Sequence, residues 1–254
     1  MGNPLFPSET VSALQIAIAN VSVAHIMLVA VIYEINAPLV FTRNVSVLAS
    51  DQAVLQGMGN TVVQVNAGAV VHLQSVNISS CTFYSATGVV NFGELRMTEC
   101  SVHGFFRDAN NGANGAGIQN AQGATLIMDD CDAHDNRIGS TVGESRGGGL
   151  ANLGHAEIFR SRFYHNTAYG EGGGAIANCG GSLFMSGTSV YNNTAGNSRG
   201  LGGGILFTRG SGRVVFTRSA VWYNTIVGHS TISSGTPSDF AFYRTDPSPS
   251  RCDL

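Results

Sequence analysis

Between residues 88 and 224 the chain alternates apolar and polar residues in short bursts, each closed by an asparagine, and the bursts superimpose when those asparagines are aligned. Counting back from Asn136, Asn166, Asn193 and Asn224, the third residue is Ala133, Phe163, Val190 and Val221, and the fifth is Cys131, Ser161, Thr188 and Ser219. The eighth is Met128, Ile158, Met185 and Phe216, and the tenth is Leu126, Ala156, Leu183 and Val214. The frame runs backwards to Leu95, Met97, Cys100, Val102 and Phe105, and again to Val71, Leu73, Val76, Ile78 and Cys81. An apolar residue at every second position is the period of a strand with one buried face. A second strand precedes each burst and ends at Asn91, Asn120, Asn152 or Asn178, with Gly93, Gly123, Gly154 and Gly180 following. Asparagine and glycine both tolerate left-handed backbone, so these pairs predict corners.

Units of about 25 to 32 residues holding two or three short strands cannot bury an apolar face alone, so they must stack. The predicted fold is all-β: a single-stranded right-handed parallel β-helix whose equivalent residues form columns with a rise of about 4.8 Å per coil. Asn91, Asn120, Asn152 and Asn178 are expected to form one hydrogen-bonded ladder, ending where Phe207 and Thr208 take their place. Three segments follow: residues 1–25 as an N-terminal cap, 26–230 as about seven coils, and 231–254 as a C-terminal tail or cap in which Pro237, Pro247 and Pro249 oppose strand pairing. The cap is expected to hold a short helix within residues 8–20, with Ser8 or Thr10 as N-cap and Val11, Leu14 and Ile18 on its apolar stripe. Ile26, Leu28, Tyr33, Ile35, Leu39 and Val45 are candidate interior residues of the first coil, and the apolar stretch 21–32 reads as buried structure too short to span a bilayer.

Composition narrows the function. The 33 glycines and only 11% charged residues suit short strands and many turns, and a net charge of −3 offers no footprint for a nucleic-acid backbone. All 13 basic residues are arginine, which excludes lysine chemistry. No signal peptide is visible at Met1 and no transmembrane segment is expected, while N-x-S/T triplets at Asn20, Asn44, Asn77 and Asn192 lend slight support to secretion. No cofactor is implied apart from a possible calcium ion.

The segments "GGGL", "GGGAI" and "GGGI" (147–150, 172–176, 202–205), paired with "FYHN", "VYNN" and "VWYN", resemble the GGA-I/L and F-x-x-N repeats of chlamydial polymorphic outer-membrane proteins. The opening, a cap helix leading into I-x-L-x-x-x-x-Y-x-x-x-x-P-L, is similar to pectate-lyase-like β-helix proteins. The first resemblance covers residues 88–224 and implies a passenger-type solenoid with an adhesive role, extracellular or at the cell surface. Autotransport is not implied, since no C-terminal barrel follows the repeats.

Two groups of outward residues are candidates for function. Two positions before each closing asparagine stand His103, His134, Tyr164, Tyr191 and Trp222, a row of rings that either shields the sheet or lies flat against a polysaccharide or a cell-surface protein. The segment "MDDCDAHDN" (128–136) is the densest charge cluster. Its Asp129, Asp132 and His134 face outward, with Asp130 and Asp135 near corners. Three readings are open: ion pairs of Arg160 with Asp130 and Arg162 with Asp132; a weak calcium site at Asp129 and Asp132; or the centre of a polysaccharide lyase or glycoside hydrolase built from Asp129, Asp132, His134 and Arg162. The segment order of polygalacturonase-like enzymes is not reproduced: "RIG" at 137–139 precedes the "GH" of 154–155. Cys100 and Cys131 fall in one interior column, as stacked thiols or as a disulfide in an oxidising compartment; Cys179 and Cys252 are a candidate staple for the tail.

Overall fold

The structure, a computed structural model, describes residues 6–29, 31–50, 53–81, 85–108, 114–139, 145–170, 172–196, 201–208, 210, 212–227, 236–237 and 240–242. The chain winds as a parallel β-solenoid. A representative coil runs Thr125–Asp129 on the first face, Asp132–His134 on the second and Arg137–Gly139 on the third, then returns through Leu150–Asn152 on the fourth. Among the described residues, stacked coils make sheets of nine, eight, six and eight strands on these faces in turn. Among the described residues pairing is parallel except where Thr225 and Ile226 meet Pro237 and Thr236 in antiparallel register.

The columns read from the sequence are the observed pairings. Leu95, Leu126, Ala156, Leu183 and Val214 stack in register on the first face, and Val102, Ala133, Phe163, Val190 and Val221 do so on the second. Most of these side chains are fully buried, and one continuous apolar core runs from Leu14 to Phe207. The six interior candidates of the first coil are all buried. The stretch 21–32 is only partly so: Ile26 and Leu28 point inward, whereas Val21 and Ile32 stand in solvent.

The cap helix spans Val11–Ala19. Thr10 is its N-cap, Oγ1 accepting from Ala13 N–H at 3.1 Å, and Leu14, Ala17 and Ile18 close the core end. Arg43 binds the other end of this helix, donating to the carbonyls of Ala17 (2.8 Å) and Ile18 (2.9 Å), which otherwise lack intrahelical donors. The strand Phe6–Ser8 pairs directly with His25–Leu28, so the helix is the connection between two adjacent rungs of the first sheet.

The corners differ from expectation. Asn91, Asn120, Asn152 and Asn178 are the last residues of fourth-face strands, and the left-handed conformation falls to Gly123 (φ 79°) and Gly180 (φ 91°). Two further columns of left-handed residues are mostly not glycine. Between the first and second faces they are Ser75, Glu99, Asp130, Arg160, Gly187 and Arg218; between the second and third they are Gly104, Asp135, His165, Asn192 and Tyr223. Left-handed backbone costs an L-residue about 1–2 kcal/mol, which coil stacking must offset.

Two asparagine ladders supply part of the offset. In the expected one, Asn91, Asn120 and Asn152 each donate Nδ2–H to the next asparagine's Oδ1 at 2.8, 2.8 and 2.7 Å. It ends at Asn178, which turns to the Gly181 carbonyl because Phe207 occupies the next rung. The second ladder is formed by the closing asparagines: Asn136, Asn166 and Asn193 each donate both backbone N–H and Nδ2–H to the Oδ1 of the next, the last being Asn224. Phe105 N–H opens it by donating to Asn136 Oδ1.

The glycine triplets have a steric cause. A Cβ on Gly174 would sit 2.2 Å from the Gly203 carbonyl oxygen and 2.6 Å from that of Thr194. Here the chain passes so close to the next coil and to the third face that only hydrogen fits.

Candidate contact face

The second face carries the ring column. Strand alternation turns Ala133, Phe163 and Val190 into the core, so the residues after them face out. His103, His134, Tyr164, Tyr191 and Trp222 stack without a break, with centroids 4.7, 4.7, 5.4 and 5.0 Å apart and planes within 13° of parallel. Parallel strands in register bring equivalent side chains to one rise, and ring stacking then aligns their planes. This geometry alters the expected contact. Each inner ring has its faces covered by its neighbours, so the column presents edges, half-buried, rather than a platform on which a sugar lies flat.

Polar neighbours fix the edges. His103 Nε2 meets Asn77 Oδ1 at 2.9 Å; His134 meets Ser101 Oγ through Nε2 (3.3 Å) and Asp135 Oδ2 through Nδ1 (2.7 Å). Burial, and then the neighbouring His134, hold His103 below the usual imidazole value. The Tyr164 phenol is pushed up by burial and by the charge of Asp132. Arg162 grips Asp132 with two hydrogen bonds, Nε to Oδ1 at 2.7 Å and Nη2 to Oδ2 at 2.6 Å, and these raise its already high pKa.

The acidic segment is thus partly neutralised. Asp132 pairs with Arg162 as expected, but Arg160 reaches Asp129 rather than Asp130. Asp130 and Arg160 both take left-handed corners, and the turn sends the Arg160 side chain back to the strand residue Asp129 while Asp130 stays in solvent. Calcium binds six to eight oxygens, and both candidate carboxylates already face guanidinium groups. Among the described residues no three His, Cys, Asp or Glu side chains are grouped as metal ligands, so this donor set does not fit the ion.

The catalytic candidates do share a concavity. A shallow cleft of about 350 Å³ on the second face brings Asp132 and His134 together with His103, Glu99 and Asp130. Glu99 was not singled out by its sequence, yet it lies one coil before Asp130 in the same corner column and accepts from Ser75 Oγ at 2.9 Å. Asp129 and Arg162 are not among the residues lining the cleft. Sequence reasoning also passed over the outer side of the first face, where Ile127, Phe159, Phe184 and Val215 are half-exposed and the two phenylalanine rings lie 5.6 Å apart. The alternation that placed the interior columns also contained this signal.

Cys100 and Cys131 are buried free thiols. Cys131 Sγ accepts from the Cys100 N–H at 3.4 Å, as Ser161 Oγ does from Cys131 N–H at 3.0 Å, so the column serves as a set of backbone acceptors. Its contact with Cys100, and burial, push the Cys131 thiol far above the usual range. The Cys179–Cys252 staple lies outside the described residues through Cys252.

No protein family matches the chain, and no curated protein is similar to it. Among solved structures it is similar to ORF18 of Geobacillus virus E2, with a TM-score of 0.41 and 13% identity, over 85% of this chain and 57% of that one. The chain therefore spans little more than half of that viral protein. Among the described residues no helix is long and apolar enough to cross a membrane.

Proposed function

We propose that the protein is a non-enzymatic, secreted or surface-displayed β-solenoid whose second face makes extended contact with a polysaccharide or a cell-surface protein. The observation that carries this reading is the ring column: five ring-bearing side chains at one-coil spacing, half-buried, with polar edges aligned in a row. Their rise matches the strand spacing of about 4.8 Å. A linear partner running along the solenoid axis would meet one ring edge per coil. Aromatic edges bearing hydroxyl and N–H groups combine apolar area with hydrogen bonding, which is why such residues are enriched at contact surfaces. The resemblance to chlamydial polymorphic outer-membrane proteins supports an adhesive, extracellular role. The test is a Tyr164→Ala/Tyr191→Ala/Trp222→Ala variant, checked for folding by circular dichroism and compared with the parent on glycan arrays and cell surfaces. Unchanged binding would remove the proposal.

A second reading, a polysaccharide lyase or glycoside hydrolase, is favoured by the cleft that holds Asp132 and His134 beside Glu99 and Asp130. Against it, Asp129 and Asp132 are each tied to an arginine. Turnover of a uronate-containing or neutral polysaccharide by the purified protein, abolished by Asp132→Asn, would establish the enzyme instead.

A further inference from the structure

The charges of the second face are sorted along the solenoid axis. Among the described residues of this face and its two corners, Glu34, Glu99, Asp130, Asp132 and Asp135 all precede the arginines Arg160, Arg162 and Arg218. The sign changes at one level, between the coil of Asp132–His134 and the coil of Arg162–Tyr164, and it does so in three columns at once. In the corner before the face Asp130 is followed by Arg160, on the face Asp132 by Arg162, and in the corner after it Asp135 by His165. These groups reach solvent. The side chains of Arg160, Arg162, Asp135 and His165 are 68%, 59%, 56% and 54% exposed, and Asp130 is exposed as well. Their pairing inside the chain leaves capacity over: Arg160 and Arg162 each hold one carboxylate, whereas a guanidinium carries five N–H donors.

We propose that the partner of the second face is a second copy of this chain, docked face to face with its solenoid axis antiparallel; this rests on the reading of that face as the contact surface. A two-fold axis lying along the strands, between the coils of Asp132 and Arg162, reverses the order of coils and sets each column opposite itself. Asp130 then faces Arg160 of the second copy, Asp132 faces its Arg162 and Asp135 faces its His165, and each contact occurs twice. Glu99 comes opposite Gly187, where no side chain stands in its way, with Arg160 and Arg218 of the second copy one rise to either side. The ring column obeys the same operation. His134 meets Tyr164 and His103 meets Tyr191, so the polar ring edges confront one another. With the axes parallel, or with the copies slipped by one coil, the same face sets like charges opposite each other; charge therefore fixes both direction and register. Exposed ion pairs are individually weak, so the contact is salt-sensitive and gains strength from the number of copies a surface displays.

The experiment is sedimentation of the full chain over a range of concentrations, in about 0.02 M and about 0.5 M salt. A monomer–dimer equilibrium that weakens as salt rises is expected. Asp130→Arg and Arg160→Asp should each weaken it at least about tenfold, since either places two like-charge contacts in the dimer. An equimolar mixture of the two variants should associate again, because every contact across a mixed pair is once more between opposite charges. The corner column already carries both aspartate and arginine in left-handed backbone, so the exchange asks nothing new of the chain, and circular dichroism checks the fold. Should either variant fail to fold, Asp135→Arg and His165→Asp form the second exchange pair. A chain that stays monomeric at every concentration, or a dimer that neither variant weakens, overturns the second copy; so does a mixture that does not recover. Failure of the contact face itself is separately visible. A monomer that still binds glycans or cells through Tyr164, Tyr191 and Trp222 overturns the second copy alone, whereas a chain that neither associates nor binds overturns both.

Discussion

Replacing Asn193 by alanine tests whether the second ladder holds the coils together. Asn193 is fully buried. Its Oδ1 accepts from the Asn166 backbone N–H (2.9 Å) and Nδ2–H (3.0 Å), and its Nδ2–H groups donate to the carbonyls of Phe163 (3.0 Å) and Tyr191 (2.9 Å) and to Asn224 Oδ1 (2.9 Å). Alanine leaves at least the two Asn166 donors and the Phe163 carbonyl without these partners in a dry interior. At about 1–2 kcal/mol for each orphaned buried group, the loss is roughly 3–6 kcal/mol. A domain of this size loses about 2–4 °C of melting temperature per kcal/mol, so a fall of about 10 °C is expected. The assay is urea and thermal denaturation followed by far-UV circular dichroism, with Asn192→Ala alongside. Asn192 is adjacent in sequence but exposed at a left-handed corner. If the two variants lose the same stability, the hydrogen bonds of the ladder are not what holds this corner.

Acid should weaken the fold below about pH 6.5, the ordinary imidazole value. Burial lowers both His103 and His72 in the folded state, so the unfolded chain binds protons first; their contribution is present above that pH and is lost as pH falls towards their lowered folded values. A melting-temperature profile from pH 8 to pH 4 should be flatter for His103→Asn than for the parent. Gly174→Ala should destabilise by several kcal/mol, since its Cβ would overlap two carbonyl oxygens, whereas Gly123→Ala, where nothing lies within 4 Å, should cost only about 1 kcal/mol for its left-handed backbone; paired thermal melts measure both. Under native conditions a thiol reagent should modify exposed Cys81 quickly and leave Cys100 and Cys131 untouched until the chain is denatured, as read by peptide mass mapping.

What the sequence discloses is the part of the fold governed by strand period. Leu126, Met128, Cys131 and Ala133 repeat in kind at Ala156, Ile158, Ser161 and Phe163, and two-residue alternation converts that recurrence directly into stacked columns. The order of the ring column is legible for the same reason. Its orientation is not, because alternation says which way a side chain leaves the sheet and nothing about the plane of its ring. The partner of Arg160 was misplaced because register pairs it with Asp130, while left-handed backbone at both residues redirects the side chain to Asp129. Left-handed Glu99, His165 and Tyr223 could not be foreseen from residue preference; stacking imposes that conformation on whatever side chain occupies the corner. The closing asparagines gave the register, yet their role as a ladder depends on their being fully buried, which no local pattern states.

In both ladders every amide-to-amide hydrogen bond runs the same way, from an Nδ2–H to the Oδ1 of the asparagine one coil nearer the C-terminal end. The solenoid is therefore directional, like a stack of cups, and its length is quantised. Adding or removing one whole coil restores each donor to an acceptor, while an insertion of a single residue within a strand throws the amide rows, the apolar columns and the rings out of register together. Variation in such a protein is confined to the outward positions of a coil or to the number of coils, and the second of these sets how many ring edges the column displays.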